Sequence, residues 1–268
     1  MASLKHIDVF SHNRASWDRQ AAQHCEWSQP VSAEEIAAAR KGHWQVRLTP
    51  NPLPPGWLDE VAGRRILCLA SGGGQQAPVL AAAGALVTVF DASDLQLQQD
   101  RMVAQRDGLE MQVVQGDMRD LSVFADASFG LVFHPISNLY VPDIRPVWRE
   151  CFRVLRSDGT LLSSFYNPVV FVGDRDPSIA KQGLIRPRFS LPYSDLEHLD
   201  TAALADKQQR GEALVFGHSL SEQIGGQMEA GFVLTGFYED HQPNPRFVID
   251  RYLPTFLATR ASKPRGLS

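Results

Sequence analysis

The chain has 268 residues, enough for one large domain or one domain with additions. Its 44% hydrophobic and 21% charged content are ordinary for a globular protein, and a net charge of −4 leaves no broad basic field for nucleic acid or an anionic membrane. Cys25, Cys68 and Cys151 are too far apart for a disulfide framework or a zinc set, and neither a signal peptide nor an apolar span is present, so a reduced, cytoplasmic protein without a metal site is expected.

The first sixty residues read as a helical extension. One helix is expected over residues 13–26. A second starts at Ser32, which forms a capping box with Glu35, and stops at Gly42. Trp17, Trp27 and Trp44 lie here and serve either to pack the extension down or to form a lid. The proline-rich stretch 49–56 is a stiff linker. From Arg65 the pattern alternates. Strands are expected over 66–70, 86–90, 111–115, 131–134 and 160–165, with helices over 75–83, from Ser93 to about Gly108, and over 144–156. Such alternation predicts a doubly wound α/β architecture with a mostly parallel, seven-stranded sheet. Residues 167–217 break the pattern and read as an insertion covering the acceptor side. Ser219 and Glu222 then cap a helix carrying Leu220, Ile224 and Met228, and two last strands, 232–238 and 255–259, form a hairpin with one antiparallel member. The expected partition is therefore 1–60, 61–166, 167–217 and 218–268.

In open α/β sheets a ligand sits beyond the carboxyl ends of the strands. Those ends carry Ser71–Gly74, Asp91, Asp117 and His134–Asn138. Three consecutive glycines let backbone approach a ligand, and the following helix start offers unpaired N–H groups. Asp91 lies at the end of the neighbouring strand, where a carboxylate can accept both hydroxyls of a ribose, and Asp117 could accept an adenine amino group.

These segments, in this order, resemble the class I S-adenosylmethionine-dependent methyltransferases. Ile66–Gly74 resembles the glycine-rich first motif, Val87–Ser93 the second strand with its ribose-binding acid, Val114–Leu121 the adenine-side motif, and Val154–Leu161 the helix-to-strand turn. The resemblance implies S-adenosylmethionine as cofactor, held by Ala70, Ser71, Gly72, Gly74, Asp91, Ala92, Asp117, Met118 and His134. It implies in-line methyl transfer to an acceptor beside residues 134–140, with His134 and Tyr140 as catalytic candidates. Tyr193, His218 and His241 are further candidates for a base. The chain departs from the family at three places: Cys68 stands where an acid is usual, Ala70 where glycine is usual, and Gly130 where an aspartate often begins the fourth strand. The net negative charge and the covering segments favour a small-molecule acceptor over nucleic acid.

Two alternatives remain at the level of sequence. Gly72–Ala77 also fits G-x-G-x-x-A, which would suit an NAD(P)-dependent oxidoreductase. The missing strand-one acid would suit a non-methylating S-adenosylmethionine-binding protein.

Overall fold

The computed structural model describes residues 7–265. The extension contributes α1 (Val9–Ala22) and α2 (Ala33–Ala39). Helix α1 begins four residues before its expected start because Asp8 caps it, accepting the Ser11 amide at 3.2 Å. The capping box of α2 forms as expected, with Ser32 and Glu35 each bonding the other's backbone. Residues 50–56 have no regular structure.

The core follows as β1 (Arg65–Leu69), α3 (Gln76–Ala82), β2 (Leu86–Asp91), α4 (Asp94–Asp107), β3 (Met111–Gln115), β4 (Phe129–His134), α5 (Arg145–Val154) and β5 (Leu155–Tyr166). The insertion holds α6 (Pro177–Lys181), β6 (Tyr193–Ser194), α7 (Asp195–His198), α8 (Thr201–Gln209) and β7 (Phe216–Gly217). It is followed by α9 (Gly226–Glu229), β8 (Val233–Asp240) and β9 (Phe256–Ser262). The main sheet has seven strands in the order β3-β2-β1-β4-β5-β9-β8, and only β9 runs antiparallel to its neighbours. An antiparallel strand between β5 and the last strand departs from the dinucleotide-binding order and sets the nicotinamide alternative aside. Strands β6 and β7 pair separately.

Strand β1 shows why the core reads as an unbroken apolar run. Ile66 and Cys68 enter the cluster on one face of the sheet, Leu67 and Leu69 the cluster on the other, and all four are fully buried. The link between β8 and β9 is longer than a hairpin turn, spanning 241–255.

The segment after Ser219 corrects an expectation. Leu220 and Met228, expected on its buried face, are exposed, while Gln223, Gly226 and Gln227 are buried. Its first turn, Ser221–Gly225, is a π-helix, which rotates the following residues off the 3.6-residue register. A Cβ on Gly226 would approach Trp148 Cδ1 to 2.8 Å, and the Trp148 indole donates to the Glu222 carbonyl at 3.0 Å. Close packing against tryptophan therefore accounts for glycine there.

Candidate functional site

The carboxyl ends of β1 to β5 form the floor of a cavity of about 910 Å³, and the extension forms its roof. After β1 the chain turns sharply. Ala70 has φ +48°, followed by Gly73 at +117° and Gly74 at +70°. Such values suit glycine, so Ala70 occupies its place at some conformational cost. The Gly72 amide donates to Asp91 Oδ2 at 3.0 Å, and the Ser93 amide to Asp91 Oδ1 at 2.9 Å. Burial pushes the Asp91 carboxyl up, while these amides pull it down. Each carboxylate oxygen keeps accepting capacity beyond these bonds. Ser71 Oγ is buried with no protein partner.

Ala70, Ser71, Gly72, Asp91, Ala92, Asp117 and Met118 all line this cavity. Gly74 does not. It faces the extension, and its carbonyl accepts the Val31 amide at 2.9 Å. Asp117 is engaged by its own motif: the Arg119 Nε lies 3.1 and 3.0 Å from its two oxygens and the Arg119 amide 2.9 Å from Oδ1.

His134 is fully buried and is not among the lining residues. Its Nδ1 lies 3.0 Å from the Leu69 carbonyl and its Nε2 2.6 Å from Asn138 Oδ1. Burial lowers its pKa. Asn138 donates to Gln223 at 2.7 Å, Gln227 to the Gln223 carbonyl at 3.0 Å, and Thr259 to Gln227 at 3.0 Å. His134 thus starts a buried polar chain that joins β4 to the π-helical turn and β9.

Tyr140 lines the cavity, and its ring meets Trp17 edge-on at 5.2 Å. Burial holds its phenol above the usual tyrosine range. The other base candidates lie elsewhere. Tyr193 donates to buried Asp195 at 2.6 Å, His218 Nε2 sits within 3.1 Å of the Asn138 and Val141 carbonyls, and His241 is exposed. Arg186 and Arg188 of the insertion both pair with Asp174.

Several lining residues escaped the sequence reading. Tyr166 closes β5, directly after the expected strand, and that position was the available signal. Arg246 comes from the long β8–β9 link, pairs with Glu26 and sits over the Trp27 ring at 5.2 Å. No pattern in the sequence marks it. Among the described residues, none from 167–217 lines the cavity. No helix among them is long and apolar enough to cross a membrane.

The floor fits a nucleoside-bearing cofactor. The Asp91 carboxylate is held by two amides at the cavity's edge, the turn before it is bare of side chains at Gly72, and the Ser71 hydroxyl is buried with no protein partner. Comparisons agree with this arrangement. The sequence matches a methyltransferase domain family over residues 67–163. It is 48% identical to an uncharacterized methyltransferase, YbaJ, of Bacillus subtilis (strain 168), over 95% of this chain and 98% of that protein. It is 35% identical to a ubiquinone biosynthesis O-methyltransferase of Paracidovorax citrulli (strain AAC00-1), over 44% of this chain and 51% of that one. In fold it is similar to an S-adenosylmethionine-dependent methyltransferase from Mesorhizobium loti, with a TM-score of 0.57 at 20% identity over 77% of this chain and 94% of the other. A second, from Methanosarcina mazei, gives 0.56 at 19% identity over 79% and 98%.

Proposed function

Because the chain belongs to the S-adenosylmethionine-dependent methyltransferases, we propose that it methylates a small molecule enclosed with the cofactor between core and extension. The observation that carries this reading is the cavity itself. At about 910 Å³ it lies near the top of the range for small-molecule sites, and its lining runs without a break from the motif residues to the extension.

S-adenosylmethionine supplies a methyl group on a sulfonium that leaves readily, so the chain must contribute chiefly alignment and exclusion of water. We assign Asp91 to the ribose, the Ala70–Gly72 turn to the methionyl side, and Met118 with Asp117 to the adenine side. Trp17 and Tyr140 form the wall beside the acceptor, with Tyr166 and Arg246 completing it. Tyr140 presents the only hydroxyl among the sequence-derived base candidates that lines the cavity, and a raised pKa keeps it a hydrogen-bond donor at neutral pH. His134 sits below the 134–138 turn, with its Nδ1 against the Leu69 carbonyl of β1 and its Nε2 against Asn138 Oδ1. Three free thiols, two of them buried, support a reducing cytoplasmic setting.

The test is formation of S-adenosylhomocysteine by purified protein against a panel of small phenols, carboxylates, amines and thiols, with RNA and intact protein alongside. Turnover on a small acceptor is expected. Methylation confined to a macromolecule would overturn the reading.

A further inference from the structure

Beneath the glycine-rich turn lies a carboxylate that the binding reading leaves unused. Asp100, in the middle of α4, is fully buried among Leu97 and Val103. Its Oδ2 accepts the Gly73 amide at 3.0 Å, and its Oδ1 is buried without a protein partner. A buried charge needs compensation. Arg101, the next residue, pairs with Asp94 at 2.9 Å instead. What compensates Asp100 is the turn, because the Gly73 and Gly74 amides both favour its charged form. The two carboxylates divide the glycines between them: Asp91 takes the Gly72 amide, and Asp100 shares the Gly73 amide with the Gln96 carbonyl.

Strand β1 offers no competing anchor. Cys68 is buried, and burial together with Asp100 pushes its thiol far up, so it stays neutral. We propose that Asp100 is the positioning residue of the glycine-rich turn, supplying from α4 the carboxylate that this chain lacks at Cys68. The proposal rests on the reading that this turn holds S-adenosylmethionine.

The position implies a pH dependence. Burial pushes Asp100 up to about 7, and Asp91 adds to the rise, while the two amides and Arg101 oppose it. Cys68 is the titratable group that faces it from β1. An unfolded aspartate ionises near pH 3.9, so between about pH 4 and about 7 the folded chain holds a proton that the unfolded chain has lost. Stability of the ligand-free protein from this group therefore falls as pH rises through that window. Grip on the turn runs the opposite way, strengthening as the carboxylate ionises.

The experiment is calorimetric binding of S-adenosylhomocysteine from about pH 5 to 9, beside thermal unfolding of the ligand-free protein. It uses Asp100→Asn, Asp100→Ala and the double variant Cys68→Asp/Asp100→Ala. Wild-type affinity should rise with pH. Asp100→Asn should bind about tenfold more weakly above neutrality, lose the pH dependence of binding, and lose its share of the slope in unfolding. The double variant should regain most of the lost affinity. Variants that bind like the wild type at every pH, or a double variant that regains stability without affinity, would overturn the proposal. A wild-type protein that binds S-adenosylhomocysteine at no pH would sink the site reading beneath it as well.

Discussion

The extension and the insertion were both expected to cover the site, and they do different things. The extension lines the cavity through α1, the segment after it, and the stretch from His43 to Pro50. The insertion stands behind it. Buried Asn13 of α1 exchanges bonds with the Leu214 backbone at 2.8 and 3.0 Å, and the same side chain donates to the Tyr140 carbonyl at 2.8 Å. His12 and Arg19 reach the carbonyls of Glu212 and Gly211. Leu204, Leu214 and Phe216 pack with Val9. The lesson is that an addition to the sheet's edge can act as a wall or as a buttress for the wall, and each role has its own energetic signature.

The largest expected effect separates the two. Asp195 is the buried hub of the insertion, accepting Lys207 at 2.6 Å, Tyr193 at 2.6 Å and the Val215 amide at 2.7 Å. Lys207→Ala leaves Arg175, 3.6 Å away, as the one cation paired with that carboxylate among the described residues. Breaking a buried pair in this way should cost about 3–5 kcal/mol of stability by denaturant unfolding. S-adenosylhomocysteine affinity of the folded fraction should not change, and a parallel loss of affinity would make the insertion part of the wall after all. Asp91→Ala should give the inverse pattern. Affinity should drop by roughly 1.5–3 kcal/mol, the range for hydrogen bonds to a charged group, while stability changes less than in Lys207→Ala. An Asp91→Ala protein that binds at wild-type strength would remove the floor from the site.

The floor was legible for physical reasons. Buried parallel strands are short continuous apolar runs, and glycines and aspartates punctuate their ends, so β1 to β5 could be placed from spacing; of the residues expected at their tips, Ala70–Gly72, Asp91, Ala92, Asp117 and Met118 line the cavity, and Gly74 and His134 do not. Three features were hidden. The π-helical turn shifts the register after Ser219, so apolar periodicity pointed Leu220 and Met228 inward when glutamines are buried there. Arg246 reaches the cavity from irregular chain, where no period exists. Asp100 did leave a trace, since it shares the buried face of α4 with Leu97 and Val103, where an apolar side chain is the rule. The absent acid at Cys68 was the other half of that trace.

The smallest expected effect is the most diagnostic for the roof. Trp17 meets Tyr140 edge-on, an arrangement worth about 0.5–1.5 kcal/mol beyond area burial. Trp17→Ala should therefore lower kcat/KM for a small acceptor by roughly two- to tenfold, since it removes the group that fixes the Tyr140 ring. Asp91 and the glycine turn are untouched by the change, so S-adenosylhomocysteine affinity should move by less than about twofold. Trp17→Phe should recover part of the lost turnover, because a phenyl ring can still form a T-shaped pair with Tyr140. Equal losses in cofactor affinity and turnover would mean that α1 closes over the cofactor itself, and the division into a cofactor floor and an acceptor wall would have to be redrawn.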